Sequence, residues 1–274
     1  MRKSKLFTGM VLASSFFLAA CGSTTESATK EEPVKVTVGV VGEGNEPWDY
    51  TIDQLKENEN IEVTLIKFTD YATPNTALAS GEVDLNAFQT QIFLDNFNTD
   101  TDSDLTSIGY TVMAPLGIYS EKISDISEVK EGAEIAIPND PSNGGRALRL
   151  LQTAGLLTLN EEAGLLPGLK DITDNPLNLI ITELDSSQTA RALQDVDASV
   201  INSGMAVDAG FIPSEDAVFL EPVTEESTPY YNVIAARSED VENEIYLTIV
   251  EYFQSEGTAD VIQEISKGSQ IPVW

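Results

Sequence analysis

The sequence predicts an α/β fold of two doubly wound lobes joined by two crossovers. Three observations predict it: two successive series of alternating strand and helix patterns, a long apolar break between them, and a late strand-like stretch that returns the chain. Each series implies a parallel sheet with helices on its faces. The first opens at "VKVTVGVV", where Val34, Val36, Val38 and Val40 alternate onto one face. "WDYTIDQLKEN" follows with Trp48, Ile52 and Leu55 at helical spacing, and "IEVTLIKF" is a second strand. Thr73 and Pro74 supply an N-cap and an N1 proline for a short helix ending at Gly81, and "EVDLN" is a third strand. "NAFQTQIFLDNF" carries Phe88, Ile92, Phe93 and Phe97 in one helical segment. Aromatic residues at that spacing serve either a core or an apolar ligand pocket.

The break is "GYTVMAPLGIYSEKI", with Pro115 and Gly117 in its apolar run. The second series then runs from the strand "AEIAIP" through a helix in "NDPSNGGRALRLLQTAGL", the strand "LNLIITEL", a helix capped near Ser187 and the strand "ASVIN". "DAVFLEPVTEESTPYYNVIAAR" reads as the return crossing, and two amphipathic helices near 241–255 and 259–267 close the chain. "ALASGEVDLN" and "ALQDVDASVIN" echo each other, both running from a helix into a strand that ends on asparagine, Asn86 and Asn202. The carboxyl ends of parallel strands are where a ligand crevice forms.

The first residues read as a processing signal. "MRKSK" is a basic start, "LFTGMVLASSFFLAA" an apolar core too short to span a bilayer comfortably, and Leu18, Ala19, Ala20 and Cys21 match the lipobox of bacterial lipoproteins. Cys21 is the one cysteine in 274 residues, which excludes a disulfide framework and makes it the acylated residue. "GSTTESATKEE" behind it reads as a flexible tether. Cleavage after Ala20 removes Arg2, Lys3 and Lys5 and no acid, taking the net charge from −30 to −33. Nucleic acid and anionic lipid surfaces are disfavoured as partners by that charge.

The sequence has no histidine, which removes Ser-His and Cys-His catalysis and the usual zinc sites. No nucleophile and base pair is evident and no metal spacing stands out, so no catalytic residue, metal or cofactor is expected and the chain is read as a non-enzyme. "GEGNEP" lacks the third glycine of a phosphate loop and carries two glutamates, so it reads as a turn. In "NDPSNGGRAL", Ser142 or Asn143 is the expected N-cap and Gly155 the closing glycine, which puts Arg146 in the first helical turn. A cation there opposes the helix macrodipole. Either Arg146 and free N–H groups capture an anion between them, or it is a surface arginine paired with one of the many acids.

"DYATPNTALASGEVDLNAFQTQIFL", "PLGIYS", "IPNDPSNGGRAL" and "PYYNVIAAR", in this order behind a lipobox, closely resemble the NlpA-type lipoproteins, the methionine-binding components of ABC importers. The resemblance covers nearly all of the chain after Cys21. It implies a two-lobed, hinged fold like that of type II periplasmic binding proteins. The expected division is a signal at 1–20, a tether at 21–32, one lobe at 33–112 and 228–274 and the other at 113–227, with hinges near 113–116 and 228–232. By resemblance, Arg146 clamps the ligand carboxylate, Tyr71, Phe88 and Phe93 surround the thioether side chain, and Asn202 and Asn232 bind the ligand. The implied function is capture of L-methionine outside the cell membrane, to which the protein is lipid-anchored through Cys21, and delivery to a permease with a cytosolic ATPase. Thr90 stands where members usually carry histidine, and "VGEGNEPWD" replaces a glycine-proline-histidine stretch. These departures keep another small amino acid or a methionine-containing dipeptide as alternative ligands, and a surface adhesin as an alternative of another class.

Loss of the acylated thiol is expected to release the protein: Cys21→Ser should appear in the soluble or extracellular fraction, since stable anchoring takes acyl chains that only Cys21 carries. Immunoblotting of washed membranes checks this, and retention there would argue against the lipobox.

Overall fold

The computed structural model describes residues 32–267 and 269–274; the signal, Cys21 and the tether up to residue 31 lie outside the described residues. Strand β1 (Val34–Val41) buries Val36, Val38 and Val40 in one cluster with Trp48 and Leu55 of helix α1 (Glu46–Asn58). Beside it lies β2 (Ile61–Phe68), parallel and in register from Val34↔Ile61 to Val41↔Phe68. The first series continues through α2 (Pro74–Ala79), β3 (Leu85–Asn86), α3 (Gln91–Thr101) and β4 (Thr106–Met113). Pro74 is at N1 as expected, yet the Thr73 hydroxyl caps nothing; the Asp70 carboxylate accepts the Ala72 and Thr73 N–H groups at 2.8 and 3.1 Å instead. Phe88 is not on a helix with Phe93. It stands in the extended segment before α3, because Thr90 is the N-cap, its Oγ1 accepting from the Phe93 N–H at 3.3 Å.

The second lobe is built by β5 (Gly117–Tyr119), β6 (Glu134–Pro138), α4 (Pro141–Thr153), the ribbon β7 (Thr158–Leu159) with β8 (Ile172–Asp174), β9 (Ile180–Leu184), α5 (Ser186–Ala192), β10 (Ala198–Ile201), α6 (Ser203–Asp208), α7 (Pro213–Asp216) and β11 (Phe219–Leu220). Its core gathers Ile118, Ile135, Ile137, Leu148, Leu151 and Val200, all buried. The chain then returns as β12 (Tyr231–Ala236), followed by α8 (Glu244–Phe253), α9 (Glu256–Ser266) and β13 (Ile271–Pro272). The last helices close over β1, with Trp48, Phe253 and Trp274 in a row: ring centroids lie 4.7 Å apart for the first pair and 5.9 Å for the second.

Among the described residues the two main sheets are ordered β13-β4-β12-β3-β1-β2 and β11-β5-β10-β6-β9. Both are mixed, where the sequence pattern implied parallel sheets. In each, three parallel strands lie in the order second-first-third, and the strand arriving from the other lobe enters antiparallel: β12 beside β3 and β4, β5 beside β10. The reason is topological. Parallel strands point their carboxyl ends at the cleft, so a strand that starts in the cleft must run away from it. Tyr231 pairs with Met113 and Gly117 with Ile201 at that shared edge.

Two helix caps differ from expectation in the second lobe. Asp185, not Ser187, caps α5, accepting the Ser187 N–H at 2.9 Å. Asp140, not Ser142 or Asn143, caps α4: its Oδ1 accepts the Asn143 N–H and the Ser142 hydroxyl, both at 2.8 Å, and Pro141 takes N1. Arg146 is thereby in the second turn, not the first. The two glycines before it serve close packing. A Cβ at Gly144 would approach the Pro138 carbonyl oxygen to 2.7 Å, and one at Gly145 would approach the Leu166 Cα to 3.0 Å.

Because Asp140 satisfies the open end of α4, Asp140→Ala is expected to destabilise the protein by about 1–2 kcal/mol. Urea unfolding checks this: the midpoint should fall while the slope stays unchanged.

Candidate functional site

The carboxyl ends of β1, β3, β6 and β10 converge on a cavity of about 160 Å³ between the lobes. All six residues expected to bind a ligand line it, Tyr71, Phe88, Phe93 and Asn232 from the first lobe and Arg146 and Asn202 from the second. Three rings form one wall. Their centroids are 5.9 Å apart for Tyr71 and Phe88, 6.2 Å for Tyr71 and Phe93 and 5.8 Å for Phe88 and Phe93, the last two edge-to-face. This arrangement offers polarizable apolar surface to a ligand side chain. Loss of hydration, reinforced by the negative charges of Asp140 and Asp208, raises the Tyr71 hydroxyl far above its ordinary value, so it is a neutral donor at any physiological pH.

Phe88 is held in place by a buried amide cluster beneath it. Asn75 Nδ2 donates to Gln89 Oε1 and Gln89 Nε2 to Asn75 Oδ1, each at 2.6 Å, while Asn86 Nδ2 donates to Asn75 Oδ1 at 2.8 Å. Asn75 and Asn86 have no exposed surface and Gln89 is buried, so each of these bonds averts the cost of a stranded polar group. The Val233 N–H donates to the Gln89 carbonyl at 2.9 Å, and Thr90 bridges to Asn232, which ties the segment to β12. Thr90 thus has a structural task, capping α3, in a position that also borders the cavity.

The opposite wall is set by the α4 entrance. Asp140 accepts from Asn143 Nδ2 at 3.0 Å, which leaves Asn143 Oδ1 to accept from Asn202 Nδ2 at 2.7 Å. Asn202 Oδ1 and the neighbouring Ser203 Oγ are then buried without a partner at the cavity wall. Unpartnered buried oxygens of this kind are candidates for ligand contact. Among the described residues no cluster of acidic, histidine or cysteine side chains could hold a metal.

Arg146 combines the two alternatives that its sequence context left open: it is paired with an acid, but it is buried and lines the cavity. It is 3 % exposed. Its Nε donates to Glu221 Oε1 at 3.0 Å and its Nη2 to Glu221 Oε2 at 2.5 Å; Nη2 also donates to the Ala114 carbonyl at 3.0 Å. The guanidinium carbon stands 4.5 Å from the centroid of the Tyr230 ring. Glu221 Oε2 accepts from the Leu116 N–H at 3.0 Å, and Leu116 and Glu221 also pair through the backbone. Nothing among the described residues accepts from Nη1. At the α4 entrance two N–H groups are already engaged by the cap residue: the Gly144 N–H is bonded to the Asp140 carbonyl and the Asn143 N–H to Asp140 Oδ1, both at 2.8 Å. Sequence reasoning does not reach Glu221, 75 positions away among 45 acids, whereas Asn143 sits inside the "NDPSNGGRAL" stretch and differs only in its task.

Removing one partner of a buried ion pair strands the other. Arg146→Ala is expected to cost about 3–5 kcal/mol, and Arg146→Met with Glu221→Leu is expected to recover most of that loss, because two apolar groups leave no uncompensated charge. Urea unfolding of the single and double variants measures both.

The family model of the NlpA lipoproteins matches residues 36–274. A relative from Vibrio cholerae, named a probable D-methionine-binding lipoprotein MetQ, is 38% identical over 269 residues, spanning 98% of this chain and 97% of its own length. The solved structure of protein PG110 from Staphylococcus aureus has a TM-score of 0.85 at 43% identity, covering 87% of this chain and 94% of its own. A nutrient binding protein from Burkholderia cenocepacia, solved bound to methionine, has a TM-score of 0.84 at 40% identity, covering 87% of this chain and all of its own. With its two mixed sheets, its interlobe cavity and a match over nearly the whole length, the chain belongs to the NlpA lipoprotein family.

Proposed function

We propose that this protein is the extracytoplasmic, lipid-anchored binding component of an ABC importer, capturing methionine in the interlobe cavity and handing it to a permease with a cytosolic ATPase. One observation carries the reading: a single cavity has a triple aromatic wall on one lobe, facing Arg146 and unpartnered amide oxygen on the other. That division suits a small zwitterion with an apolar, sulfur-bearing side chain. The carboxylate would meet Arg146 Nη1 and the ammonium would meet Asn202 Oδ1, with Asn232 also in the cavity lining. Size favours a single amino acid over a dipeptide, since an enclosed space of about 150 Å³ holds one benzene-sized molecule and this cavity is about 160 Å³. The relative from Vibrio cholerae is named for D-methionine, so both enantiomers belong in the test. A ligand touching both walls would hold the lobes shut about the hinges expected near 113–116 and 228–232.

Mass spectrometry of ligand released from purified protein should show methionine, and calorimetric titration of stripped protein should show binding of L-methionine, D-methionine or both. Release of a different amino acid, or a stripped protein that binds none, as an adhesin would, counts against the reading. Phe88→Ala is expected to weaken methionine by roughly tenfold, through lost apolar area and sulfur contact, and alanine by much less. Equal losses would make Phe88 part of the core.

A further inference from the structure

We propose that Glu221 is a specificity-determining residue: by pairing with Arg146 it leaves the cavity without net charge, and so selects a zwitterionic amino acid over the anion of the same side chain that lacks the ammonium. The inference rests on the amino-acid reading above. Among the described residues that line the cavity, Arg146 is the one charged side chain. An arginine alone would favour any carboxylate, including that of a 2-oxo acid. Here Glu221 occupies two of the three guanidinium nitrogens, and its carboxylate stands directly behind the arginine that lines the cavity.

The pair is not free to open for a ligand. Glu221 is tied to Leu116 by a side-chain bond at 3.0 Å and a backbone bond at 2.9 Å, and Arg146 Nη2 is tied to the Ala114 carbonyl. Beyond the walls, Asp140, Asp208 and Asp185 add negative potential that reaches Tyr71, and Arg146 opposes it there. A ligand with net charge −1 therefore enters an uncompensated site, where burying its charge is costly. A zwitterion brings its own compensation, and its ammonium meets the neutral acceptors Asn202 Oδ1 and Ser203 Oγ, because no carboxylate lines the cavity.

The test compares L-methionine with 4-methylthio-2-oxobutanoate, which has the same side chain and carboxylate but no ammonium. Titrations use stripped wild type, Glu221→Gln and Glu221→Asp, with circular dichroism confirming the fold of each. Wild type should prefer methionine by at least tenfold. Glu221→Gln should narrow that ratio by about tenfold or more, the size expected from one unit charge a few ångströms from the ligand. Glu221→Asp keeps the charge on a shorter stem and should keep the wild-type ratio even as both affinities fall. An unchanged ratio in Glu221→Gln, or equal narrowing in Glu221→Asp, overturns the proposal. So does a wild type that binds both compounds equally, a result that needs no variant to fold. A wild type that ignores methionine fails the methionine reading alone; the ratio is then read on the amino acid that the purified protein releases and its 2-oxo acid.

Discussion

The structure turns on one buried ion pair placed where the chain passes twice between its lobes. Charges taken out of water are costly, and they persist only when every hydrogen-bonding group around them is satisfied. Arg146 and Glu221 approach that condition with the Ala114 carbonyl, the Leu116 N–H and the Tyr230 ring, while Arg146 Nη1 has no acceptor among the described residues. Ala114 and Leu116 belong to the first crossing, Glu221 and Tyr230 to the second, and Arg146 to helix α4 of the second lobe. The pair therefore ties the two linking segments to each other and to α4, at the edge where β5 and β12 enter antiparallel.

The two walls of the cavity are built by different physics. On the first lobe the aromatic wall rests on a hydrogen-bonded cluster of Asn75, Asn86 and Gln89, three amides that would be destabilising in an apolar core if any one were unpaired. On the second lobe the order is reversed. A helix cap organises the wall: Asp140 orients Asn143, Asn143 orients Asn202, and the last oxygen of the relay remains open. The first wall supplies shape and the second supplies polarity, so neither lobe alone completes the site.

How much of this was legible in the sequence depends on the range of the interaction. Period-two valines in β1, the proline at the start of α2 and the amphipathic closing helices are local, and they fold where the pattern puts them. The six cavity residues were reached through the motifs that resemble a family, and the structure gathers them in one place. The misreadings are also local, and each has a small cause. The Pro141 ring moved the helix start one residue ahead of Ser142, which made Asp140 the cap; the Thr90 cap left Phe88 outside the helix that its aromatic spacing suggested. What no local pattern carries is pairing across long separation: the antiparallel crossing strands and the partner of Arg146 are set by topology.

The row formed by Trp48, Phe253 and Trp274 has an optical consequence. The chain contains two tryptophans, both in contact with the ring of Phe253, and Trp48 and Phe253 line the cavity. Near-ultraviolet emission excited at the indole band therefore arises from one spot on the first lobe. Trp48 reports the polarity at the cavity and Trp274, 39 % exposed and outside the lining, that at the outer end of the row.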